Sequence, residues 1–216
     1  MYAKLLKPKD LYMAIIPLLY GDINMRNKDD VIIRFLIERK NEELNILKIS
    51  KGLRMNYKNT YSIVKRLEKG SLVKLESFGQ SSRVKLVSQI HPLIFEAEYN
   101  RRKELLKDKS LAVMLNEFKN ALKSKCYVLL IFGSYAKKTQ TKNSDIDLMF
   151  IVPDGREELF EKDISRVARS LPLPVHYLVF SEKQFLEMIQ KQSNVGQEAL
   201  KNNIILYGIE TYYEMI

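Results

Sequence analysis

Apolar positions recur with a helical period from residue 28 to about 70, then change to strict alternation. Val31, Phe35 and the Leu36–Ile37 pair share one face of a first helix that ends near Arg39-Lys40. A second short helix fits Ile46–Met55 with Leu47, Ile49 and Leu53 inward, and Asn56 is placed to cap a third that stops at Gly70. In residues 73–76 and 83–86, Val73, Leu75, Val84 and Leu86 point one way while Lys74, Glu76, Arg83 and Lys85 point the other. The intervening SFGQSS contains a glycine suited to a tight reversal.

Three helices followed by a basic hairpin resemble a winged helix-turn-helix domain. On the third helix Ile63, Val64 and Leu67 face a core, while Lys58, Ser62, Lys65 and Lys69 share the opposite face. That puts Lys58, Asn59 and Ser62 where a recognition helix meets base edges of double-stranded DNA, with Lys65, Arg66, Arg83 and Lys85 for phosphates. Winged helices also serve as protein-interaction modules, so the alternative of a protein partner stays open.

His91-Pro92 ends this pattern, because proline disfavours helix in the residue before it. A charged helical segment from Leu93 to about Lys107, with Glu98 and Arg102 spaced i,i+4, is expected to be a solvent-exposed connector. Leu111, Leu115, Phe118 and Leu122 then mark one buried face, which either closes the next domain's core or forms a homodimer seam.

Strands and helices alternate through the rest: strands at 126–132, 144–152, 174–180 and 203–208, an amphipathic helix at 157–170, and a Ser181-x-x-Gln184 capping box. The expected architecture is a two-domain α+β and α/β chain. Residues 1–91 form the winged-helix part, 92–109 the connector, and 110–216 a mixed β-sheet flanked by helices.

Composition narrows the function classes. The 216 residues carry a net charge of +10, but residues 1–125 hold 26 Lys/Arg against 14 Asp/Glu, and residues 126–216 hold 10 against 12. The tightest excess is at 48–90, with ten basic and two acidic residues, which favours a polyanion-binding half. A single cysteine, Cys126, excludes an internal disulfide and is natural to a reducing cytoplasm. The N-terminal apolar run is broken by Asp10 and Pro17, so Lys9–Tyr20 is expected to be a short amphipathic element and neither a leader nor a membrane span.

Chemistry concentrates in IFGSYAKKTQTKNSDIDLMFIV, residues 131–152. A strand that ends in Gly133-Ser134 and turns into a helix leaves backbone N–H groups and a hydroxyl where phosphate can sit. Asp145 and Asp147 emerge on one face of the following strand, about 7 Å apart by its rise, and can converge on a hard cation.

Strand, Gly-Ser, ten residues, Asp-x-Asp and strand together resemble the signature of the nucleotidyltransferase superfamily related to DNA polymerase beta, in its minimal branch. The resemblance covers roughly 110–216. It implies that Gly133 and Ser134 bind phosphate, that Asp145 and Asp147 hold Mg2+, and that ATP is the substrate. Lys137 and Lys138 either approach the triphosphate or stay solvated.

Family members commonly carry a third carboxylate on the next strand, where this chain has His176. Either His176 substitutes as base or ligand, or the site binds nucleotide without turnover; Asp154 and Asp163 are more remote stand-ins. The expected activity is transfer of a nucleoside monophosphate, AMP from ATP, to a hydroxyl acceptor. A partner toxin protein is one acceptor that the family implies. The alternative is a DNA-binding regulator whose second domain only senses a nucleotide.

Overall fold

The computed structural model describes residues 23–79, 81–141 and 143–216, without the side chains of 23–27, 78 and 81. The element expected at Lys9–Tyr20 lies outside the described residues. The chain divides into two compact units: one runs to Val87 and takes in His91–Ala97, the other comprises Ser88–Ile90 and Glu98–Ile216.

The first unit holds α1 (Ile23–Glu38), α2 (Ile46–Gly52), α3 (Tyr57–Lys69) and a hairpin of β1 (Val73–Phe78) and β2 (Ser81–Leu86). The Asn56 side chain accepts the Lys58 N–H to start α3, and Gly70 ends it. Ile63, Val64 and Leu67 are buried, as their spacing predicts. Two expectations shift by a fraction of a helical turn. Val31 and Leu47 are exposed, because the buried stripe of α1 is centred on Ile32, Ile33 and Leu36, and that of α2 on Ile46, Ile49 and Ser50. The hairpin pairs Val73 with Leu86 and Leu75 with Val84, and a bridge between Asn45 and Arg83 ties it to the start of α2.

The second unit is built on a four-stranded sheet in the order β5-β4-β3-β6, from β3 (Val128–Phe132), β4 (Ile146–Val152), β5 (Val175–Ser181) and β6 (Ile204–Tyr207). Strand β3 runs antiparallel to β4 and β6, while β4 and β5 are parallel. The crossover between β4 and β5 is α7 (Glu157–Ser170). On one face, Ile146, Leu148, Phe150 and Val152 pack with α7 and with α5 (Lys109–Ala121). Leu111, Leu115, Phe118 and Leu122 lie in that core, which settles their alternative in favour of closing the domain. The alternate positions Asp147, Met149 and Ile151 turn to the other face. The remaining helices are α6 (Gly133–Lys137), α8 (Glu182–Gln190), α9 (Asn194–Lys201) and α10 (Ile209–Met215). Ser181 and Gln184 form the expected capping box of α8.

The segment expected as a solvated connector is α4 (Pro92–Leu105), and only part of it is solvated. Leu93, Ile94, Phe95 and Ala97 are buried, and so are Glu98 and Arg101. Glu98 accepts hydrogen bonds from Arg101 at 2.6 Å and from the Tyr213 hydroxyl at 2.8 Å. Arg101 also donates to the Asn203 carbonyl, and Arg102 donates to the Leu206 carbonyl instead of pairing with Glu98. A charge-rich helix can therefore be interior when its charges find each other and the backbone of β6. Removing one partner strands the other. Glu98→Ala is expected to cost about 3–5 kcal/mol of stability, with Glu98→Gln milder, as read from urea unfolding midpoints at constant m-value.

Candidate active site

The site forms where β3 ends and β4 begins. The antiparallel register sets Phe132 opposite Asp147, and the parallel register sets Asp147 beside His176. Asp145 lies just before β4. The His176 Nε2 stands 3.7 Å from Asp145 Oδ2, with both side chains open to solvent. Asp145, Asp147 and His176 thus meet at the end of the sheet where the turn at Gly133 begins.

Gly133 is required there by two independent constraints. Its φ is +63°, a left-handed conformation that costs a side-chain-bearing residue roughly 1–2 kcal/mol. A Cβ at this position would also overlap Asp147 Oδ2 and lie 3.1 Å from Asp147 Cγ. The missing side chain of residue 133 is the space that the Asp147 carboxylate fills. Ser134 follows at the start of α6, partly exposed.

Electrostatically, Asp147 is the perturbed group. Burial raises its pKa, nearby His176 lowers it, and the charges of Asp145 and Glu198 raise it further. No cluster of three or more His, Cys, Asp or Glu side chains is arranged around a metal among the described residues. The donors present still suit magnesium, which keeps several waters and is commonly held by one or two carboxylates plus substrate phosphates. A carboxylate whose ionisation is made costlier by burial and by a neighbouring carboxylate is a place where a divalent cation is welcome.

Glu198, on α9, was not signalled by the sequence pattern. Nothing in its own segment marks it, and it arrives 51 residues after Asp147; its Oε1 lies 2.6 Å from the Lys137 ammonium. Lys138 follows in a left-handed conformation that ends α6. The two remote carboxylates are occupied elsewhere: Asp154 accepts the Lys183 N–H, and Asp163 pairs with Arg166.

The basic residues expected to meet DNA lie in the first unit. Lys58, Asn59 and Ser62 are on the exposed face of α3. The phosphate-facing set is already paired: Lys65 with Glu68, Arg66 with Asp29, Arg83 with Glu43, and Lys85 with Glu76. The Lys65 and Lys85 pairs are open to solvent and weak enough to be exchanged for a stronger anion, whereas Arg66 makes two hydrogen bonds to the buried Asp29 and is held more firmly.

Gly133→Ala is expected to destabilise the protein by about 1–2 kcal/mol through its backbone alone. It also displaces Asp147, so the variant should lose at least tenfold in divalent-cation affinity while Gly155→Ala, on a distant turn, does not; calorimetric titration with magnesium or manganese separates the two.

Residues 115–204, which contain the turn, both aspartates, His176 and Glu198, match the family model described as "Nucleotidyltransferase domain". Among solved structures, the chain is similar to one described as "Crystal structure of the toxin-antitoxin with AMP-PNP", at 19% identity, with a TM-score of 0.34, over 50% of this chain and 77% of that one. No curated protein matches it in sequence. The likeness of residues 115–204 to that domain, which spans less than half of the chain, supports an activity that transfers phosphorus-containing groups.

Proposed function

We propose that this protein transfers AMP from ATP, with magnesium, to a hydroxyl acceptor, using Asp145, Asp147 and His176. The observation that carries the proposal is the fit between Gly133 and Asp147. The turn suited to phosphate and the carboxylate suited to a cation occupy one shared space, so whatever binds at one is presented to the other.

The residues divide the work by chemistry. Gly133 and Ser134 receive phosphate oxygens on backbone N–H groups and a hydroxyl at the start of α6. Asp145 and Asp147 hold the cation. Magnesium, when bound, neutralises triphosphate charge and the pyrophosphate that leaves. His176 takes the proton of the acceptor hydroxyl as its oxygen bonds to the α-phosphorus and the bond to pyrophosphate breaks. Asp145, 3.7 Å away, orients the imidazole. A protein hydroxyl, such as that of a partner toxin, is the acceptor that the sequence resemblance implies.

ATP labelled at the α-phosphate, incubated with magnesium, the protein and an extract of its host, tests this. Label is expected on a macromolecular band with the wild type and to fall at least a hundredfold with Asp145→Asn or Asp147→Asn, on the scale of losing a principal electrostatic group. Equal labelling by the variants would remove those residues from the chemistry.

A second reading concerns the first unit. The exposed face of α3 carries Lys58, Lys65 and Lys69 around Tyr57 and Tyr61, whose rings lie 6.4 Å apart. Positive charge on a helix face open to solvent supports binding to double-stranded DNA, in parallel with transfer or as the whole role of a nucleotide-sensing regulator. Duplex DNA affinity should then fall steeply with salt. Lys65→Gln with Arg83→Gln should flatten the log–log slope by about 1 per lost phosphate contact. Affinity indifferent to salt would end the DNA reading.

A further inference from the structure

Lys137 closes α6, one turn beyond Gly133, and its ammonium lies 2.6 Å from Glu198 Oε1. That oxygen is buried, and among the described residues no donor is aligned to hydrogen-bond it. The other oxygen, Oε2, accepts from the Asn202 side chain at 3.3 Å. A carboxylate oxygen kept from water needs a counter-charge, and Lys137 is placed to supply it. Glu198 is itself well fixed: α9 starts at the Ser193 cap, whose hydroxyl accepts the Gly196 N–H, and the neighbouring Ala199 is fully buried.

The contact matters because of its position. Lysine carries a point charge on a flexible stem, and an unpinned one would sample solvent or fold back onto the nearest carboxylates. Asp147, close enough to Glu198 to feel its charge, and its neighbour Asp145 are the pair proposed to hold the cation. A lysine paired with them would compete with magnesium for the same charge. Glu198 gives the ammonium another partner at the edge of the turn, close enough to Asp147 to add to its repulsion.

We infer that Glu198 is a positioning residue that pins the Lys137 ammonium beside the Gly133–Ser134 turn, ready for the polyphosphate of a nucleoside triphosphate. This rests on the transfer reading above. The ammonium stays within reach of both anions: it leaves Glu198 in part when phosphate arrives, and it is kept off the aspartates when phosphate is absent. Glu198 touches neither cation nor nucleotide and acts only through Lys137.

The test is calorimetric titration of the full-length protein with ATP and magnesium, for wild type, Glu198→Gln, Lys137→Gln and the double variant. Each single change is expected to weaken binding about tenfold, the scale of one charge-assisted hydrogen bond. The double variant should be no weaker than either single one, because Glu198 has no effect once Lys137 is gone. In the labelling assay the loss should appear in KM for ATP, with kcat within about twofold. Lys137 is exposed, so Lys137→Gln keeps the test alive if Glu198→Gln fails to fold. Lys137→Gln binding like wild type, Glu198→Gln binding like wild type, or losses that multiply in the double variant, would overturn the inference alone. A wild type that binds no ATP would overturn the transfer reading with it.

Discussion

Everything at the candidate site depends on the position of β4 between two neighbours of opposite sense. Its antiparallel pairing with β3 brings Phe132, and therefore the turn at Gly133, level with Asp147; its parallel pairing with β5 brings His176 level from the other side. Backbone hydrogen bonds hold both registers, and a slip of one residue in either would send Asp147 into the apolar face now filled by Ile146 and Leu148. The sheet thus fixes a polar site through the burial of its alternate residues. The proposed chemistry is a by-product of hydrophobic registration.

The site sits uneasily in its own protein. Burial and neighbouring charge raise the pKa of Asp147. A carboxyl whose folded pKa exceeds its unfolded value favours the fold most when protonated, and that contribution is lost as pH rises through the folded pKa. Glu98 shows the opposite solution in the same unit, where a fully buried carboxylate is satisfied by Arg101 and Tyr213. One acid is paired internally and serves the fold. The other is left partly uncompensated, which suits a group that waits for a cation.

Much of this was legible in the sequence where a single segment carries both pattern and chemistry. Asn56 and Gly70 bound α3 as their residue types require, and the apolar run at 126–132 and the segment 144–152 contain β3 and β4. Asp145 and Asp147 were visible as a pair because they stand two positions apart, although β4 itself begins at Ile146. Burial of α4 was hidden, since Glu98, Arg101 and Arg102 look like a solvated face until Asn203, Leu206 and Tyr213 arrive a hundred residues later. Glu198 was hidden for the same reason: its meaning lies in Lys137, and no local rhythm connects them. Val31 and Leu47 show a smaller limit, because a helical stripe read from a short segment is uncertain by about one position.

The interlock of Gly133 and Asp147 has a consequence for descent. A side chain at 133 must both adopt a left-handed backbone and push the Asp147 carboxylate aside, and an asparagine at 147 would fill the same space as the aspartate. An isosteric loss of the acid therefore leaves the glycine as constrained as before. A glycine retained at 133 is by itself no record that the acid, and with it the proposed chemistry, has been kept.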